Sequence, residues 1–148
     1  MAGGLIIALD AMGGDLGPAV VVPGVARSVL RHPESRYLLF GDRARIEPLV
    51  SRHPTLAGRC EIRHTDVYIA MDAKPSQALR QGRGKSSMWL AIEAVRTGEA
   101  DAAVSAGNTG ALMAISRYIL KTIDGIDRPA IAFALPNSAG GNPIEPMV

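Results

Sequence analysis

Two turns built from small residues carry the chemistry that this chain could perform. Ser105-Ala106-Gly107-Asn108-Thr109-Gly110-Ala111 joins a short apolar run, Ala102 to Val104, to a helical pattern. Glycines there let backbone N–H groups approach a ligand closely, and the helix start that follows favours an anion. Asp10-Ala11-Met12-Gly13-Gly14-Asp15 closes the first apolar run, Leu5 to Leu9, in the same manner. Two such turns in one short chain point to a phosphate or phosphoester site at the strand ends.

In that reading the N–H groups of Asn108, Thr109 and Gly110 hold the anion, assisted by the Asn108 amide and the Thr109 hydroxyl. The same residues would serve equally as a plain helix cap. The turn is neither the dinucleotide pattern nor the Walker pattern, since Gly-x-Gly-x-x-Gly and Gly-Lys-Ser/Thr are both missing from it. Asp10 and Asp15 flank the first turn. A carboxylate there could orient a substrate, act as a base, bind a divalent metal through oxygen, or bond local backbone amides. Two carboxylates beside a phosphate repel it, which favours orienting or structural roles.

Arg80, Arg83 and Lys85 cluster around two glycines, with Lys74 near in sequence. Such a cluster suits a phosphate or an acidic partner surface, since arginine binds oxyanions bidentately, and a solvated loop is the alternative for such a segment. His32, His53 and His64 lie at element ends without a paired acid or nucleophile, and Ser86-Ser87 shows no nucleophile-elbow pattern. Cys60 is the only cysteine, so no intrachain disulfide forms, and nothing at metal-ligand spacing accompanies it. No metal and no cofactor are expected.

The elements that position these residues alternate. Leu5–Leu9, Tyr37–Phe40, Cys60–His64, Ala102–Ser105 and Ala130–Leu135 read as strands. Helical periodicity places Val22, Ala26, Val29 and Leu30 on one face, with Pro23 starting or kinking that helix. Further helices follow at Ile46–Val50, at Met88–Val95 between a Ser86 or Ser87 cap and Gly98, and at Leu112–Ile119. Residues 66–84 look irregular, and 136–148 read as a breaker-rich tail. This alternation predicts an α/β fold: a mostly parallel sheet flanked by helices in three layers, with ligands at the strand carboxyl ends.

The 148 residues suffice for one domain with a sizeable core, and 47% hydrophobic with 20% charged residues is ordinary for a globular chain. A formal net charge of +2 gives no case for nucleic acid. The first apolar run stops too soon for a signal peptide, and no window approaches the roughly 20 apolar residues of a membrane span. A cytoplasmic setting fits.

Four ordered blocks resemble the bacterial phosphate acyltransferase family, PlsX. They are Ala8-Leu9-Asp10-Ala11-Met12-Gly13-Gly14-Asp15 with Gly17-Pro18, then Lys74-Pro75-Ser76 with Ala78-Leu79-Arg80 and Ser86-Ser87-Met88, then Ser105 to Ala111, then Arg128-Pro129-Ala130. The resemblance implies a fold similar to the isocitrate and isopropylmalate dehydrogenase-like proteins and the phosphotransacetylases. It also implies transfer of a fatty acyl group from acyl carrier protein to inorganic phosphate, in phospholipid synthesis, by a homodimer. Phosphate is then the nucleophile, so no serine or cysteine nucleophile is required.

Gly13, Gly14, Asp15, Ser76, Arg80, Ser105, Gly107, Asn108, Thr109 and Gly110 are the expected substrate-binding residues, and Asn108, Thr109 and Asp10 the catalytic candidates. The family's chains run well beyond this length, into parts that supply dimer contacts and peripheral membrane association. The chain is therefore expected to be the N-terminal portion of such a domain, poorly stable and inactive by itself. A catalytically silent fragment and a phosphate- or nucleotide-binding module are the alternatives.

Overall fold

The structure, a computed structural model, describes residues 4–134 and 144–147. Its centre is a four-stranded parallel sheet of β1 (Ile6–Asp10), β2 (Arg36–Gly41), β3 (Cys60–His64) and β4 (Ala102–Ser105), in the order β3-β2-β1-β4. The chain moves outward from β1 through β2 to β3, then returns to pair β4 on the other side of β1. Strand order thus reverses between β1 and β4, where sheets of this class form their ligand crevice.

Alternation along the strands divides the core into two layers. Ile7 and Leu9 of β1 and Tyr37 and Leu39 of β2 face α1 (Pro18–Arg31) and α2 (Arg43–Val50), packing on Val22, Val25, Ala26, Val29 and Ile46. Ala8, Leu38 and Phe40 point the opposite way, against Ala91 and Ala94 of α4 (Ser87–Arg96). Each large side chain so buried contributes roughly 1.5–3 kcal/mol. Beyond α4, the helices α3 (Pro75–Gly82) and α5 (Thr109–Leu120) add a further apolar cluster around Met88, Trp89, Ile92, Ala111 and Ile115. The expected three-layer α/β arrangement is what forms.

Local signals set most of the ends. Ser86 Oγ accepts the Trp89 N–H at 3.2 Å and caps α4, while Gly98 (φ +77°) follows its last turn. Pro18 occupies the first turn of α1, where its missing N–H costs nothing, and Pro23 lies inside the same helix.

The structure differs from the sequence reading at four places. Leu30 is exposed, because the buried stripe of α1 runs through Val22, Val25, Ala26 and Val29 instead. The stretch expected to be irregular contains α3, whose Pro75 start pre-sets helical φ and whose Ala78 packs into the third cluster. β5 (Ile131–Ala134) forms, but not as a fifth parallel strand. It pairs antiparallel with β6 (Ile144–Met147) in a separate two-stranded sheet. Part of the tail 136–148 is therefore a strand, which tolerates Pro146 because a two-stranded ribbon is all edge. The rest of that tail lies outside the described residues.

Candidate functional site

Asp10 and Ser105 end adjacent strands and are register partners, which brings the two small-residue turns side by side at the strand carboxyl ends. Asp10 is almost wholly buried, at 3% exposure, and its carboxylate is fully engaged. The Ser87 hydroxyl donates to Oδ1 at 2.6 Å, the Ser105 hydroxyl to Oδ2 at 2.7 Å, and the Met12 N–H to Oδ1 at 3.3 Å. Ser105 Oγ accepts in turn from the Gly107 N–H at 3.0 Å. One buried carboxylate thus ties β1, the start of α4 and the turn after β4 together through charge-assisted hydrogen bonds.

The absence of side chains permits the contact. A β-carbon on Gly13 would lie 2.8 Å from both Asp10 Oδ2 and the Gly107 amide nitrogen. Gly14, at φ +84°, adopts a backbone conformation that L side chains rarely take, close to the Ala106 carbonyl.

Asn108 caps α5 and does more. Its Oδ1 accepts the Ala111 N–H at 2.9 Å, while Nδ2 donates to the Met71 carbonyl at 2.7 Å and the Ala73 carbonyl at 2.9 Å. That amide, expected to assist a phosphate, spends its hydrogens on the segment leading into α3. Thr109 and Gly110 are the first two residues of α5, so helix geometry gives their N–H groups no intrahelical acceptor. The Thr109 side chain is exposed beside them. Gly110 abuts the start of α3, since a β-carbon there would lie 3.1 Å from Pro75 Cγ. The two helix N-termini are neighbours, with Ser76 exposed in the first turn of α3.

Of the residues expected from the sequence, Asp10, Gly13, Gly14, Ser105 and Gly107 form one packed knot. Asn108, Thr109 and Gly110 stand above it, with Ser76 on the neighbouring helix. Asp15 and Arg80 are exposed, and Arg80 sits a turn further along α3. Ser87 is the residue that spacing could not reveal as a partner of Asp10, 77 positions away. Its signals in the sequence are a pair of serines at a helix start and its place in the second family-resembling block, neither of which points to Asp10.

The whole arrangement has counterparts of known name. A family model described as a fatty acid synthesis protein matches residues 5–144, nearly all of the described chain. This chain belongs to that family. A phosphate acyltransferase of Bradyrhizobium diazoefficiens is 63% identical over 134 residues, covering 90% of this chain and 38% of that protein. Phosphate acyltransferases of Rhodopseudomonas palustris strain HaA2 and Azorhizobium caulinodans are 63% and 60% identical over the same length, with the same coverage. The chain spans about two fifths of the length of these family members. Among the described residues no helix is long and apolar enough to cross a membrane.

Proposed function

We propose that this chain supplies the phosphate cradle of a phosphate acyltransferase, which forms an acyl phosphate from acyl-[acyl carrier protein] and inorganic phosphate for phospholipid synthesis. The observation that carries the reading is the first turn of α5: two N–H groups without helical acceptors at Thr109 and Gly110, beside the Gly13–Gly107 contact, at the point of strand-order reversal. The names of the relatives support the reaction class.

Phosphate oxygens would accept from the Thr109 and Gly110 N–H groups and from the Thr109 hydroxyl, at the positive end of the α5 dipole. A further oxygen of the bound hydrogen phosphate attacks the thioester carbonyl carbon. The tetrahedral intermediate collapses, the C–S bond breaks, and the phosphate proton passes to the departing thiolate. Holding the nucleophile at the carbonyl removes most of the entropic barrier to this encounter. Asp10 does not touch the anion in this scheme. Its bonds to Ser87 and Ser105 fix the turns that shape the cradle. A cytoplasmic setting, a homodimer and peripheral membrane contact belong to the same reading.

Thr109→Pro tests the cradle. Proline is favoured at the first position of a helix, and Asn108 already has the extended conformation that precedes proline (φ −61°, ψ 115°). The substitution deletes one N–H and the hydroxyl and leaves α5 intact. Phosphate affinity, followed by 31P NMR titration, should fall about tenfold, equivalent to one charged hydrogen bond of about 1.4 kcal/mol. Thr109→Ala, which keeps the N–H, should lose less. Equal affinity of Thr109→Pro and the parent chain would overturn the cradle.

A further inference from the structure

Two stretches of the chain carry cations without any carboxylate among them. Residues 73–92 contain Lys74, Arg80, Arg83 and Lys85 and no carboxylate, and residues 102–123 contain Arg117 and Lys121 and no carboxylate. These two stretches include α3 and α5, which pack against each other. Arg83, Lys85 and Lys121 form no ion pair with any described residue. The nearest acids in sequence are Asp72, Glu93, Asp101 and Asp124; Glu93 pairs with Arg96, and Arg117 donates to the Asp127 backbone carbonyl rather than to its carboxylate.

Tyr118 organises the face. It is 42% exposed, and its ring stands 5.5 Å from Trp89 of the core. The Arg83 guanidinium lies 5.1 Å from the ring centroid and donates to the phenol oxygen, and the Lys121 ammonium lies 5.0 Å from the same centroid. Cation–π attraction holds both charges at the surface without neutralising either. Beside them runs a groove of about 480 Å³ lined by Leu79, Ala114, Arg117, Tyr118, Lys121 and Thr122. An apolar floor with a cationic rim suits a convex, acidic element better than a flat bilayer.

We propose that the α3–α5 face docks an acidic helical surface of the protein that delivers the acyl group. The proposal rests on the acyl-transfer reading and names the docking surface for its donor. Tyr118 lies nine residues from Thr109 along α5, about 14 Å at helical rise. A thioester carried on an extended arm of that reach would arrive at the first turn of α5 while its carrier sits in the groove.

The test measures binding of an acyl carrier protein to the 148-residue chain by calorimetry, with folding followed by circular dichroism. Arg83→Glu/Lys121→Glu should weaken binding about tenfold or more and flatten its salt dependence. The milder Arg83→Gln/Lys121→Gln pair serves if charge reversal perturbs the fold. Arg27→Glu/Arg31→Glu, on α1, makes the same change in net charge elsewhere and should leave affinity unchanged. Equal losses from both pairs would reduce the effect to bulk charge and overturn the docking face, as would no loss from either. Loss of binding to phosphatidylglycerol vesicles with carrier binding intact would assign the face to a membrane and overturn it as well. Phosphate titration of the same samples keeps the two readings apart. Carrier binding that depends on Arg83 and Lys121 in a chain that binds no phosphate upholds the docking face and removes the cradle.

Discussion

Gly13 and Gly107 meet backbone to backbone across the seam between β1 and β4, so close that a β-carbon on Gly13 would lie 2.8 Å from the Gly107 nitrogen. The obstacle is main chain and a buried carboxylate, neither of which can swing aside. Gly13→Ala should therefore separate the two turns, costing about 1–3 kcal/mol as overpacking does. Urea unfolding would show a lower midpoint, and phosphate affinity should fall with it. Unchanged stability would mean that the turns slide past each other freely.

Asp10 should matter through its hydrogen bonds. Asp10→Ala leaves the Ser87 and Ser105 hydroxyls without their acceptor in a buried site, a loss of about 1–3 kcal/mol for each group stranded. Asp10→Asn keeps the shape and one acceptor oxygen and should recover part of that loss. Thermal unfolding of the two variants checks the order. If both equal the parent, the carboxylate does not hold the seam.

Asn108 couples the cap of α5 to the segment before α3. Asn108→Ala should cost about 1–2 kcal/mol through the lost cap. It should also release the Met71 and Ala73 carbonyls, so hydrogen exchange should quicken across residues 71–82. Faster exchange confined to α5 would restrict Asn108 to capping.

The outer edge of β4 is unpaired among the described residues, and Val104 is 51% exposed beside a groove of about 440 Å³ lined by Ile7, Leu9, Val20 and Val21. An apolar strand edge of this kind invites pairing with a second chain. Sedimentation of the 148-residue chain should show concentration-dependent association, reduced by Val104→Lys. A monomer at every concentration would sink this expectation.

Burial pushes the Cys60 thiol up to about 11 from 9.0. The native thiolate fraction at pH 8 is then about a hundredfold below that of the unfolded chain, and alkylation should slow accordingly. The folded state holds the proton more tightly, so stability is complete below pH 9.0 and declines as pH rises from there towards 11. Equal alkylation rates in native and denatured samples would contradict this.

Much of this molecule was legible from periodicity and punctuation. Cys60–His64 and Ala102–Ser105 run between the residues that their apolar patterns bound, and the Ser86 cap and Gly98 delimit α4 as read. The adjacency of the two glycine turns followed from the rule for strand ends. What escaped was long-range. Ser87 and Asp10 are joined by folding alone, and α3 hides in a polar stretch because only Ala78 and Gly82 on it are buried. The fate of β5 depended on which strand it would pair with, which its own residues do not encode.

The β1–β4 seam also bears on when the molecule becomes competent. β1 and β2 pair across about thirty positions, whereas Asp10 finds Ser105 across 95. Loop closure costs more as that separation grows, and distant pairings form late. The α1–β2 half is expected to assemble early, with its glycine turn waiting open. Only after the chain beyond residue 110 has left the ribosome can β4 dock and the cradle close.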